Sequence, residues 1–531
     1  MIIATLDIET DPFKYGRTPK PFCCEFFDGH TKKQWWGENC LQEFVEWLKE
    51  QNEHYKIYAH NGGKFDFWFL LYLQFLSNPM RIINGRIVEA HLAGHVLRDS
   101  LAIIPVSLAK YEKTKIDYNK FEVENREKHK KEILDYLHDD CRFLHELVLE
   151  FNERFGDKLT IGGTAIKELQ KHHDIIKTGE SHDTKFRPFY FGGRVQAFKS
   201  GLIKKDLKYF DVNSMYPHVM ATKYHPSGKA YLRIDTQFDD YFTKDGFYKE
   251  NKLAPYFIHF RGSNNGALPT RIKNKGLSFN EEYGEFYATG HEIQVALKHN
   301  LIEIDEIIDG HICMDYQNFN DFVQTFSAEK IEAKLNGDKI KELFSKLILN
   351  SSYGKFGQNP ENFYDYELIY MDEMPLPEPW ELYIDGMGYE IWRKPALSHL
   401  YYDVAVAASI TGAARAVLLD GLIKAKNPVY CDTDSIICED LPGVILDQAK
   451  LGAWDIEATG TQFACGGKKL YALFDEKGEC VKMASKGARL VPNDIKEIAK
   501  GKVINWQNDA PCFKLTGQVQ FIERNIKQRS N

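Results

Sequence analysis

Near the start of the chain, apolar and polar residues alternate from Ala4 to Glu9. Across Ile2 to Glu9, Leu6 and Ile8 fall on one side and Asp7 and Glu9 on the other, which predicts a half-buried strand with two carboxylates on one face. Helices and strands then alternate to about residue 160, closed by a basic helix over Glu122–Phe151. Gly162 and Gly163, between Ile161 and Thr164, are expected to interrupt regular structure and to mark a boundary. From Tyr190 the pattern is rich in strands, and Pro255–Gly290 reads as aromatic loop. A helical hairpin is predicted from Ser327–Leu335 and Lys339–Tyr353, joined by an Asn336-Gly337-Asp338 turn. Residues 359–397, dense in Pro, acids and aromatics, read as a loop or hairpin insertion. A helix of small residues over Tyr401–Lys424 then leads into a tight hairpin at Val429–Cys438.

Composition narrows the class. The 531 residues are 43% hydrophobic, 27% charged and 13% aromatic, which excludes a disordered or collagenous chain. At ~150 residues per domain, three or four domains are expected. The most apolar run, Tyr402–Leu419, contains Asp403 and Arg415, so no membrane partner is expected. The N-terminus reaches Asp7 without a basic flank and does not read as a signal peptide. Ten Cys without a CxxC pair fit reduced thiols in a cytosolic compartment. Net charge is −8, yet Thr459–Asn531 holds thirteen Lys and Arg against seven Asp and Glu. That asymmetry fits an acidic, metal-binding body with a basic tail that touches phosphates.

Two sets of acids then change the picture. Asp7 and Glu9 share a strand face, Asp66 follows a Gly pair in AHNGGKFDF, and Tyr136 and Asp140 sit four apart on a helix. Four carboxylates and a tyrosine of this kind suit two divalent ions and a water aligned for phosphodiester hydrolysis. In the second set, Asp211 ends a strand in DVNSMYP, and Asp432 and Asp434 flank Thr433 at the tip of VYCDTDSII. Acids from two such segments suit a pair of Mg²⁺ ions and nucleotidyl transfer. On the helix between them, Lys346, Asn350 and Tyr353 fall at i, i+4 and i+7 and end in Gly354, with Lys334 across the turn in reach of the same triphosphate.

These segments, in this order, resemble family B DNA polymerases. D-I-E, N-x-x-x-F-D and Y-x-x-x-D are similar to the three motifs of the proofreading exonuclease, and DVNSMYP, KLILNSSYGKFG, YCDTDS and KKLY to motifs A, B, C and KxY. The resemblance implies an α/β multidomain chain, with an RNase H-like 3′–5′ exonuclease ahead of a right-hand polymerase of palm, fingers and thumb. It makes Asp7, Glu9, Asp66 and Asp140 metal ligands and Tyr136 the group that positions the attacking water. Asn61 and Phe65 take the frayed primer end, Ser107 and Leu108 resemble a single-strand-binding motif, and Lys120 a lysine that assists the exonuclease. Asp211 and Asp434 become the polymerase ligands, supported by Asp432. Tyr216 becomes the steric gate against a 2′-OH, Lys334 and Lys346 bind phosphates, and Asn350 and Tyr353 complete the nucleotide site. Lys469 and Tyr471 hold the primer strand. Tyr190, Gly192 and Gly193, in YFGG, resemble the template-contacting link between exonuclease and polymerase, and Gly354 allows a template base to approach.

The first exonuclease acid is residue 7, and 135 residues separate Asp211 from Lys346, features similar to the protein-primed branch. DIETDPFKYGRTPKPF, YAHNGGKFDF, RPFYFGGR and DVNSMYPH are similar to its tectivirus type. The expected layout is 1–160 exonuclease, 161–222 linker and start of the palm, 223–321 a first terminal-protein-region insertion and 322–357 fingers. It continues with 358–397 as a second such insertion, 398–490 palm and 491–531 thumb. The implied partners are template–primer DNA, deoxynucleotides, a terminal protein used as primer and a single-stranded DNA-binding protein. The implied cofactor is Mg²⁺, two ions per site, or Mn²⁺ on the same oxygen ligands. A monomer in the cytoplasm of an infected, bacterial host is expected. The alternative is a nucleic-acid-primed family B polymerase without a terminal protein. A reverse transcriptase fits less well, because its hairpin acids are adjacent and it lacks the proofreading set.

Overall fold

The computed structural model describes residues 1–108, 115–273, 276–371, 373–396 and 400–529. The expected boundary at 397/398 lies outside the described residues. The chain divides into two compact units. One is built from Met1–Ala165, Asn359–Ser398 and Gln507–Glu523, the other from Ile166–Gln358, His399–Trp506 and Arg524–Asn531.

The first unit is organised by a ten-stranded sheet. At its centre, Ile2–Thr10 and His95–Asp99 flank Tyr55–Ala59 in parallel, and the other strand pairs among the described residues are antiparallel. Parallel neighbours need a crossover, and the helix Cys40–Lys49 provides one, burying Leu41, Phe44, Val45 and Leu48 at helical spacing. Leu6 and Ile8 enter the core as the alternation predicts, which leaves Asp7 and Glu9 on the other face. The closing helix begins at Lys130 rather than Glu122, because residues 122–129 fold into successive turns and Glu122 is ion-paired to Arg17 at 2.8 Å. The 359–397 segment is a hairpin with a third strand. Tyr364–Tyr370, Tyr389–Pro395 and Glu381–Asp385 extend the sheet beyond Leu76–Ile83, and Leu368, Tyr389 and Ile391 share its core.

Gly162 and Gly163 do not interrupt structure. They lie inside the helix Ile161–Leu169, where the Thr160 hydroxyl accepts the Gly163 N–H at 3.1 Å and caps the turn.

The second unit holds a seven-stranded antiparallel sheet with Gly201–Val212 at its centre. The neighbours of that strand are Trp454–Gly467 on one side and the hairpin Tyr430–Asp432/Ser435–Cys438 on the other. The long helix Val404–Lys424 is capped by Asp403, which accepts the Ala405 N–H at 2.8 Å. It is long and apolar enough to cross a membrane by length and composition, yet 78% of its apolar window is buried inside the protein. Its Arg415 forms a buried ion pair with Glu292 at 2.7 Å.

The expected loop at 255–290 is instead part of a four-stranded sheet, in which Tyr256–Asn264 lies between Ile302–Cys313 and Tyr283–Thr289. The aromatic residues that suggested loop are good strand formers, and Tyr256, Phe257, Phe260 and Phe286 are buried. The helical hairpin is longer than expected, Asn320–Asn336 and Lys339–Phe356. Its turn is as predicted, with Gly337 left-handed at φ +72° and Asp338 accepting the Lys341 N–H at 2.9 Å.

Candidate active sites

In the first unit, strand and helix bring three acids together. Asp7, Glu9 and Asp140 place carboxylate oxygens within 4.8 Å of one another. Asp66 is held against the same strand by the Ile8 N–H, which donates to its Oδ1 at 3.2 Å. Burial, and then the charge of Asp7, push the Asp66 carboxyl well above its ordinary range. The preceding turn needs Gly63, since a Cβ there would sit 2.0 Å from the Ile87 carbonyl oxygen. Tyr136, one turn before Asp140, is kept a protonated phenol by burial, with Glu9 and Asp140 adding to the effect. An all-oxygen set of this kind fits hard divalent ions.

A cleft of about 320 Å³ opens on Asp7 and Asp140 and is lined by His60, Ser107, Leu108, Tyr118 and Leu144. Ser107 and Leu108 therefore lie beside the acids. Asn61, left-handed at φ +65°, accepts from Arg86 at 2.9 Å. Phe65 packs edge-on against Phe13, Phe69 and Phe513. Lys120 is ion-paired with Glu132. Two residues of the cleft escaped the sequence reading. His60 bridges Ser100 Oγ at 3.0 Å and the Val106 carbonyl at 2.9 Å, and Tyr118 places its hydroxyl 3.4 Å from that of Tyr136. His60 adjoins Asn61 in sequence, and Tyr118 lies two residues before Lys120.

In the second unit, Asp211 pairs across the sheet with Ser435, and the Val212 N–H donates to the Asp434 carbonyl at 2.9 Å. Asp432 pairs with Ser435, so Thr433 and Asp434 form the two-residue tip, with Thr433 at φ +60°. The tip ends the strand alternation, and the two hairpin acids diverge. Asp434 interacts with Asp211, whereas Asp432 is clasped by Lys469 at 2.7 Å to each oxygen. Burial, and then the Asp434 charge, push Asp211 up to about 7. Burial, and then Asp432, push Asp434 up to about 6. Glu457 raises both and escaped notice in sequence, where it is one acid among many on a strand.

The residues expected at the nucleotide lie on the helical hairpin and the helix Met215–Thr222. Lys346 and Asn350 are exposed on one stripe with half-buried Tyr353, and Lys334 is exposed on the facing helix. Tyr353 stacks on Tyr216 with centroids 4.1 Å apart and planes at 9°. Lys330, unremarked in sequence, lies close enough to feel Lys346 and Lys334. Gly354 leaves open space where a Cβ would point.

The YFGG segment is tied down by Arg415, which donates to the Phe191 and Gly192 carbonyls at 2.6 and 2.9 Å. Gly193 packs on the hairpin tip, and a Cβ there would meet Thr433 at 2.8 Å. Tyr190 abuts Gly357. Tyr471 is buried against Tyr430, centroids 4.6 Å apart, rather than exposed beside Lys469.

A polymerase-type palm hairpin and an acid cluster on separate units define a class, and sequence comparison agrees. Residues 109–384 match the family model for DNA polymerase type B, organellar and viral, and the chain belongs to that family. It is 45% identical to the DNA-directed DNA polymerase of Enterobacteria phage PRD1, over 99% of this chain and 98% of that one. It is 26% identical to the DNA polymerase of Bacillus phage phi29, over 79% of this chain and 78% of that one. The fold matches phi29 DNA polymerase complexed with primer–template DNA, with a TM-score of 0.72 at 20% identity, covering 99% of this chain and all of that one. The chain is a DNA-directed DNA polymerase of the phage type B kind.

Proposed function

We propose that this polymerase replicates a linear viral genome from a terminal protein, elongates by displacing the non-template strand, and proofreads with a 3′–5′ exonuclease. The observation that supports it best is the presence of two acid sets, one per unit, each on the elements that the motif order requires. Asp7, Glu9, Asp66 and Asp140 would hold divalent ions at one, Asp211 and Asp434 at the other, with Asp432 in support and Mg²⁺, or Mn²⁺ on the same oxygen ligands, as the ion. Such ions activate the attacking oxygen and offset charge on the phosphate.

The chain's own residues do the rest. At the exonuclease set, the protonated phenol of Tyr136 offers a hydrogen bond that orients water, and Asn61, Phe65, Ser107 and Leu108 hold the displaced primer end. Lys120, presently paired with Glu132, lies on the same turn as Tyr118 and supplies positive charge near the cleaved phosphate. At the polymerase set, Lys334 and Lys346 bind the triphosphate, Asn350 and Tyr353 the nascent pair, and the Tyr216 ring excludes a 2′-OH. Tyr190, Gly192, Gly193 and Gly354 line the template path, and Lys469 with Tyr471 the primer side. In this reading residues 1–160 are the exonuclease, 223–321 and 358–397 the two terminal-protein regions, 322–357 the fingers, 398–490 the palm and 491–531 the thumb. The enzyme works as a monomer in the cytoplasm of an infected bacterium, beside a single-stranded DNA-binding protein.

The test has two arms. The purified chain should extend a primer on a single-stranded circle, with Mg²⁺ and four deoxynucleotides alone, into products many circles long. Given the viral terminal protein and one labelled deoxynucleotide without primer, it should label that protein covalently. Circle-length arrest with no labelled protein would leave a nucleic-acid-primed enzyme that needs helpers.

A further inference from the structure

Lys469 is fastened at both ends to one strand. It stands with Lys468 in a two-residue turn between Trp454–Gly467 and Leu470–Phe474, left-handed at φ +55°. Its backbone N–H donates to the Tyr430 hydroxyl at 2.8 Å, and its ammonium donates to both oxygens of Asp432 at 2.7 Å. The Thr433 hydroxyl adds a third bond, to Asp432 Oδ1 at 3.1 Å. Both carboxylate oxygens are thus engaged. Two of the three N–H donors of the ammonium are used on Asp432, leaving one for any other partner.

From this geometry we infer that Lys469 is a positioning residue that keeps Asp432 out of the polymerase ion site, so that Asp211 and Asp434 alone form it. This rests on the proposed reading of Asp211 and Asp434 as metal ligands and adds a role to Lys469 distinct from holding the primer strand. The physical reason is crowding of charge. Asp432 stands two residues from Asp434, and Glu457 adds a further negative charge nearby. Without a counter-ion, Asp432 is free to turn towards a bound cation. Mg²⁺ keeps near-octahedral geometry with few carboxylates and several exchangeable oxygens, and a third carboxylate would occupy positions that substrate oxygens need. The charge-assisted, two-oxygen clasp removes that competitor while leaving Asp432 ionised and ordered.

The experiment is a Mn²⁺ titration followed by electron paramagnetic resonance on DNA-free full-length protein carrying Asp7→Ala and Asp140→Ala, which silences the other acid set. Lys469→Met should bind Mn²⁺ at least fivefold more tightly than this parent, and Lys469→Arg within twofold of it. Adding Asp432→Asn to Lys469→Met should return the affinity to the parent value. Asp432→Asn alone should change it less than twofold, and if Lys469→Met fails to fold, Lys469→Gln with and without Asp432→Asn makes the same comparison. Unchanged Mn²⁺ affinity in folded Lys469→Met would overturn the inference, leaving Lys469 to the primer strand alone. So would a tenfold loss in Asp432→Asn, which would make Asp432 itself a ligand. A parent whose Mn²⁺ binding does not respond to Asp211→Asn overturns both the inference and the metal reading beneath it.

Discussion

Tyr216 and Tyr353 face each other ring on ring, and the stack gives Tyr216 a fixed orientation that a lone tyrosine on a short helix would lack. A gate works by shape, so Tyr216→Val should lower discrimination against ribonucleotides at least ~10-fold, or about 1.4 kcal/mol. Single-nucleotide incorporation of dCTP against CTP measures it, and unchanged discrimination would remove the role. The palm acids make a second prediction. Folded Asp211 and Asp434 keep protons up to about 7 and about 6, whereas an unfolded aspartate has lost its proton by about 5. In that window these two acids bind more protons in the folded, metal-free protein than in the unfolded chain, so their contribution to stability falls as pH rises from about 4 to about 7, while buried His225 and His291, pushed down to about 4 and about 3, act the other way. Melting in EDTA at pH 5 and 7.5 isolates the aspartate part by difference: Asp211→Asn should raise the melting temperature more at pH 7.5 than at pH 5. These acids were legible in sequence because strand alternation and a tight turn are local properties. Glu457 and the Lys469 clasp were not, since each acquires its partner only when separate strands pair.

At the scale of elements, the segment after the fingers is more deeply built in than an insertion need be. Leu368, Tyr389 and Ile391 share the core of Leu6 and Ile57, and emptying such positions costs about 2–5 kcal/mol each. Removing the whole segment would therefore disturb the exonuclease fold. Tyr370 pairs directly with Tyr389, however, so 371–388 can be replaced by a two-residue Asn-Gly turn that keeps the hairpin. The trimmed enzyme should degrade and extend single-stranded templates normally but stall on entering duplex. Unaffected displacement would show that the excursion does not part the strands. On the helical hairpin, burial and the charges of Lys346 and Lys334 push the Lys330 ammonium below its ordinary range, with Glu342 opposing them. If the triphosphate is its partner, Lys330→Met should raise the dNTP KM about tenfold with a smaller change in kcat, and Lys330→Arg should restore it. Helices and the Tyr430–Cys438 hairpin were readable here through caps, turns and period. The 255–290 sheet was not, because strands with both faces partly buried lose their alternation. Gly162 and Gly163 misled because Thr160, a cap outside the pair, decides their conformation.

At the scale of the molecule, the order in sequence is not the order in space. The first unit takes strands from 364–395 and a terminal stretch, Gln507–Glu523, as well as its N-terminal body. A linear list of domains read from motifs cannot anticipate this, because hydrophobic pattern reports that a strand is buried but not which sheet receives it. Each acid set nevertheless lies wholly within one unit, with Asp7, Glu9, Asp66 and Asp140 on the first and Asp211, Asp432 and Asp434 on the second. Neither set borrows a carboxylate from the other, so the two chemistries should be separable by substitution. Asp434→Asn should reduce extension by at least ~10³-fold, about 4 kcal/mol of transition-state stabilisation, while a labelled single strand is still degraded from its 3′ end. Asp7→Ala with Asp140→Ala should do the reverse, abolishing degradation and sparing extension, with more mismatched ends extended. Measured on one preparation of each variant, loss of both activities from either substitution would mean that the sets are not independent. Persistence of synthesis in Asp434→Asn would take the palm hairpin out of the chemistry altogether.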